Sequence, residues 1–112
     1  MVNSKQKGKR GELEAVRLLK KIFPEYDWKR SQQYCGIGDG AADVVGNPNL
    51  HIEVKRTERG NQALYRWIDQ AITDAKGAQI PVVLTRSNGN DWILCILAED
   101  LPEVLEVCNP EN

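Results

Sequence analysis

Residues 42–55 read ADVVGNPNLHIEVK, two short runs rich in β-branched residues around Gly46-Asn47-Pro48-Asn49, a turn by composition. Taken as a hairpin, this stretch organises the rest of the chain. Strand residues alternate faces, so His51, Glu53 and Lys55 share one side and Leu50, Ile52 and Val54 the other. If Val45 pairs with His51, then Val44 faces Ile52 and Asp43 faces Glu53. Directly opposed Cβ atoms in such a pair lie about 5 Å apart. Two carboxylates that close repel one another unless a proton or a cation lies between them. A slip of one residue would carry Asp43 to the other face, so the reading depends on the register.

Helical periodicity flanks the hairpin on both sides. From Glu12 to Phe23, residues Val16, Leu19 and Phe23 fall on one face, Ala15, Leu18 and Ile22 widen it, and Pro24 ends the helix. Tyr26 to Ser31 reads as a short strand. Gln62 to Lys76 carries a second stripe, Leu64, Trp67, Ile68, Ala71, Ile72 and Ala75, with Gly77 as its cap. Ile80 to Thr85 and Trp92 to Leu97 are apolar strands flanking Ser87-Asn88-Gly89-Asn90, a hairpin signal. Leu101 to Val107 closes the chain as an amphipathic turn or helix. The order α-β-β-β-α-β-β predicts a single α/β domain, a mixed central sheet flanked by helices. Its expected limits are residues 10–108, after a flexible basic arm over 1–9 and before a tail over 109–112.

Composition agrees with one globular domain, since 112 residues leave little room for a second and 41% are hydrophobic. No apolar run is long enough to cross a bilayer, and the basic N-terminus is not followed by the apolar stretch of a signal peptide. Cys35, Cys95 and Cys108 are odd in number and lack CxxC spacing. They read as reduced thiols of a cytoplasmic protein rather than a disulfide framework or zinc site. The net charge of −1 conceals an uneven distribution. All 15 Lys and Arg lie in residues 1–90 against ten acids, whereas residues 91–112 hold six acids and no base. Residues 1–30, including Lys9 and Arg10, carry nine bases and four acids, a modest footprint for phosphates. An ordinary solvated helix surface accounts for that charge equally well.

A hard divalent cation such as Mg²⁺ takes oxygen ligands, and the facing Asp43 and Glu53 would form a nest for one. Lys55 would sit beside the ion without binding it, where an ammonium can orient a water or stabilise charge building on a phosphate. The bland alternative is a surface ion pair between Glu53 and Lys55. Glu12 lies on the sheet-facing side of the first helix, and a carboxylate aimed inward needs a partner. The cation nest would provide one, although a Glu near a helix N-terminus also favours the helix dipole with no site at all. Glu14 projects elsewhere, near Arg17 and Lys21, as a solvent ion pair.

Glu12, Arg30-Ser31, Asp43 and Glu53-Val54-Lys55 together resemble the PD-(D/E)XK nuclease superfamily. The similarity is greatest to its small Holliday-junction-resolvase branch and to related phage and prophage nucleases, and it runs from about Lys7 to Leu101. Lys7-Gly8 also resembles the start of the archaeal-type resolvases. The resemblance implies a restriction-endonuclease-like fold and a metal-dependent endodeoxyribonuclease acting on DNA, branched DNA in particular, as a homodimer. It implies Glu12, Asp43 and Glu53 as ligands of Mg²⁺, directly or through water, with Mn²⁺ able to substitute. It further implies Lys55 as the catalytic lysine, Arg30 as a phosphate contact, and Gln70 on the second helix in a supporting role. Ala42 stands where a proline often precedes the motif aspartate. Within the same chemistry the rival is a duplex-cutting or nicking phage endonuclease, and in another class a non-catalytic DNA-binding module on the same fold.

Other features are weaker. Arg56, Arg59 and Arg66 extend the basic surface beyond Lys55, as a nucleic-acid backbone or a solvated face would want. Gln70 borders the apolar stripe, so an ordinary helix-surface glutamine is its alternative. Gly36, Gly38 and Gly40 match no phosphate-binding fingerprint and read as a loop at the rim of the site. Asp39 lies among these glycines, whereas Asp43 adjoins Val44-Val45. His51 is read as structural, and Trp67 and Trp92 as core. Trp28 and Tyr34 fit either the core or a DNA-facing surface.

Overall fold

The computed structural model describes residues 4–31, 42–60 and 62–109. Its elements run α1 (Ser4–Ile22), β1 (Lys29–Arg30), β2 (Val44–Val45), β3 (Leu50–Thr57), α2 (Leu64–Asp74), β4 (Ile80–Ser87), β5 (Ile93–Cys95), a 3-10 turn (Ala98–Asp100) and α3 (Leu101–Val107). The described strands form one sheet in the order β1-β2-β3-β4-β5. Only β3 and β4 are parallel among these pairs; the others are antiparallel. A parallel neighbour needs a long crossover, and α2 supplies it.

β3 is the centre of the sheet, and its alternation assigns the helices to faces. Leu50 and Ile52 look toward α1, in a core with Ala15, Val16, Leu19, Trp28, Val44, Ile80, Val82 and Leu84. Val104 and Val107 of α3 pack on the same side. The opposite face holds a smaller cluster, Ile68 and Ala71 of α2 against Val83, with Leu64, Trp67 and Cys95 around it. This is a mixed sheet with helices on both faces, the restriction-endonuclease-like architecture.

Several boundaries differ from the sequence reading. α1 begins at Ser4 rather than Glu12, so part of the expected arm is helix. That first portion lacks an apolar stripe, and periodicity sees a helix only where it meets the core. Gly11 lies inside it and lets α1 approach β3, since a Cβ there would stand 2.8 Å from Arg56 Cβ. β1 is two residues long, and just before it Trp28 turns inward. Trp28 is 1% exposed, and its indole N–H donates to the Phe23 carbonyl at 2.8 Å, satisfying a carbonyl freed at the end of α1. Trp28 is therefore core, in edge-on contact with Tyr26. α2 ends at Asp74, and Gly77, at φ 59°, belongs to the following turn rather than to the cap.

Cys95 and Cys108 are unpaired thiols, each pushed up by burial. Cys35, Tyr34, Asp39 and the glycine-rich loop lie outside the described residues. Among the described residues no helix is long and apolar enough to cross a membrane.

Candidate active site

Val44 pairs with Ile52, and Asp43, at the bend just before β2, meets Glu53 through its side chain. Asp43 is held from both neighbouring strands. Its N–H donates to the Ile52 carbonyl at 2.9 Å, and its own carbonyl accepts from Ser31 N–H at 3.0 Å. Its carboxylate oxygen Oδ2 accepts from Val54 N–H at 2.8 Å. Burial, then the charge of Glu53, then that of Glu12 push the Asp43 carboxyl from 3.8 up to about 7, against the opposing effect of the Val54 N–H. Burial would also raise Glu53. Hydrogen bonds with His51 and Asp43, and the charges of His51 and Lys55, outweigh that effect and hold Glu53 below its ordinary value. The two carboxylates are in contact, and without a cation Asp43 is the one that keeps a proton near neutrality.

Lys55 lies on the same face, two residues beyond Glu53. Its Nζ donates to Gln70 Oε1 of α2 at 3.1 Å, so Gln70 meets the lysine directly. Glu12 comes from α1, with its side chain 19% exposed, and its Oε1 accepts from Arg30 Nε at 2.9 Å. Through its charge on Asp43, Glu12 belongs electrostatically with the pair. The structure thus brings together Glu12, Arg30, Asp43, Glu53, Lys55 and Gln70.

Glu14 lies apart from this group, but its partners are not Arg17 and Lys21. It accepts from Arg86 Nη1 at 2.7 Å and from Arg56 Nε at 3.3 Å. Arg56 and Arg86 stand opposite one another on β3 and β4, and like charges so placed are unfavourable unless an anion joins them. Arg56 follows the alternation of Ile52 and Val54, so it leaves β3 on the α1 side, away from Lys55. Lys9 and Arg10 on α1, Arg59 after β3 and Arg66 on α2 are exposed.

The sequence places His51 on the Glu53 face but reads it as structural, and Asp74 escapes that reading. His51 is buried, and its Nε2 lies 2.7 Å from Glu53 Oε1, which makes it a direct partner of the carboxylate. Asp74, the last residue of α2, places a carboxylate oxygen within 4.8 Å of donor atoms on both. The signal available for Asp74 was its position three residues after Ala71, on the stripe itself, and four after Gln70. Trp67 and Trp92 are half-buried against the two cores, as expected.

Comparison with known proteins bears on the same residues. A family model described as "Phage putative PDDEXK endonuclease" matches residues 3–110, almost the whole chain and every residue of the site. No curated protein matches. With an acid just before β2 meeting the Glu-x-Lys of β3, and a family match spanning both strands, the chain belongs to the phage PD-(D/E)XK endonuclease family.

Proposed function

We propose that the protein is a divalent-metal-dependent endonuclease that hydrolyses DNA phosphodiester bonds, with Asp43, Glu53 and Lys55 at the reacting centre. The observation that carries this reading is the facing pair: two carboxylates in contact, one driven up to about 7, form a donor set that a hard cation would relieve. Asp43 and Glu53 would hold Mg²⁺ or Mn²⁺, with Glu12 joining directly or through water. When bound, the ion supplies Lewis-acid polarisation of the phosphate and a water acidic enough to attack near neutral pH.

The chain's own residues do the rest. Lys55, positioned by Gln70, presents an ammonium to the attacking water or to charge developing on the phosphate. Arg30 lies beside Glu12, where its guanidinium can meet a phosphate next to the scissile one. Lys9, Arg10 and Arg59 are exposed and suit the flanking backbone. Resemblance to junction resolvases points to branched DNA and a homodimer placing one site on each of two strands, and the unpaired thiols suit the cytoplasm.

The test incubates the protein with Mg²⁺ and a four-way junction, a linear duplex, a single strand and RNA, beside Lys55→Ala. Paired nicks in the junction are expected, with cleavage by Lys55→Ala reduced about 10²–10³-fold. Equal cutting by the variant would remove Lys55 from the chemistry. Preferential cutting of linear duplex would replace the resolvase reading by the duplex one. Binding without cutting under any divalent ion would leave a binding module.

A further inference from the structure

Glu53 has neighbours of two kinds. On one side it touches Asp43, just before β2, in the carboxylate pair described above. Toward the start of β3 its Oε1 meets His51 Nε2, and the two side chains are 2% and 4% exposed. Asp74 closes the group from α2. Steps of two along β3 and four along α2 keep pace, so Lys55 meets Gln70 while His51 and Glu53 meet Asp74. One donor atom from each of His51, Glu53 and Asp74 lies within 4.8 Å of the other two.

We propose that His51, Glu53 and Asp74 form a second cation site, sharing Glu53 with the Asp43 side, and that it takes Mn²⁺, Co²⁺ or Zn²⁺ in preference to Mg²⁺ or Ca²⁺. An imidazole ligand suits borderline transition ions, whereas Mg²⁺ and Ca²⁺ favour oxygen alone. Adjacent ligands bound at about 2.1 Å stand about 3 Å apart in an octahedral site, so the His51–Glu53 contact need open only slightly. A hydrogen bond between His51 and Glu53 does not call for a third group. A second carboxylate beside a buried one is unfavourable unless positive charge joins them, and that is what Asp74 adds. The Asp74 carboxylate has no hydrogen bond or ion pair among the described residues. Access is open as well. A cavity of about 480 Å³, walled by Lys29, Ala42, Val45, Lys76 and Gln79, reaches His51 from solvent. The site rests on the nuclease reading only in treating Glu53 as a shared ligand.

The deciding experiment titrates the full chain with Mn²⁺ in the absence of DNA. Electron paramagnetic resonance counts bound ions, and its pulsed form detects directly bonded nitrogen. Two ions per chain are expected, one of them nitrogen-coupled. Asp74→Ala should weaken the nitrogen-coupled ion at least about 10-fold, since loss of even an outer-shell partner has that effect. Asp43→Asn should weaken the other ion and keep the nitrogen signal, whereas His51→Gln should abolish that signal. A single ion without nitrogen coupling, or unchanged binding by Asp74→Ala, overturns the proposal. If buried His51 tolerates no replacement, Asp74→Ala at the partly exposed end of α2 still decides. DNA cleavage is read separately. Cutting in Mg²⁺ without a nitrogen-coupled ion removes this site and leaves the nuclease. A nitrogen-coupled ion in a protein that cuts nothing does the reverse.

Discussion

A methyl group on Gly46 would stand 2.4 Å from Trp28 Cε3. The ring cannot move away, because it is buried and tied through its indole N–H to Phe23. Gly46→Ala is expected to cost about 1–3 kcal/mol, seen as a lower urea midpoint at unchanged slope. Gly8→Ala is the control. It lies in α1 with nothing within 4 Å of the added carbon, so it should stabilise by up to about 1 kcal/mol. Equal effects of the two would mean that Trp28 does not lie under the β2–β3 turn. Asp43, Glu53 and Lys55 could be picked out in the sequence because alternation and a short hairpin leave few registers open. His51 and Asp74 could not be joined that way, since their proximity depends on how α2 lies across β3.

At the scale of elements, α2 shows how far periodicity reaches. The stripe that predicts it includes both Ile68 and Ile72, yet Ile68 is 6% exposed and Ile72 44%. A sheet touches one line of a helix, and the stripe is wider than that line. Ile68→Ala should therefore cost about 2–4 kcal/mol and Ile72→Ala roughly 0.5 kcal/mol, measured by urea denaturation. Comparable losses would show that α2 is rotated from the orientation that aims Gln70 at Lys55. α1 is the converse case. Residues 4–11 hold no apolar side chain for periodicity to register, although they carry the exposed Lys9 and Arg10.

For the whole molecule, the carboxylate pair couples stability to pH and to metal. Asp43 titrates at about 7 in the folded chain against an ordinary 3.8, so the folded state binds that proton more tightly than the unfolded state. Its stabilising contribution is complete below about pH 4 and is lost as pH rises toward about 7. Glu53, held below its ordinary 4.5, contributes above that value and loses its contribution as pH falls. Between about pH 5 and 8, Asp43 is the member of the pair that changes, and the cation-free protein should lose stability as pH rises. Asp43→Asn should show a flatter profile and be the more stable of the two at about pH 8. Added Mg²⁺ should restore the wild type there but not the variant, by about 2.7 kcal/mol at 100 times its dissociation constant. Urea denaturation in chelator and in Mg²⁺ reads both effects. Parallel profiles for wild type and variant would mean that the carboxylates do not share a site.

The hairpin at residues 42–55 determined by itself which residues could face one another, because strand alternation and turn length are local properties. From it followed the alternating face of β3 and the opposition of Asp43 and Glu53, while the helical stripes on either side supplied the α/β order of the elements. Tertiary structure decided what each face meets. It placed Trp28 in the core, where the sequence allowed either side, and directed Glu14 to two arginines far along the chain. It also brought the end of α2 to His51 and Glu53. Such pairings depend on how helices settle on the sheet, which follows from packing over the whole molecule and leaves no periodic trace in the residues that take part.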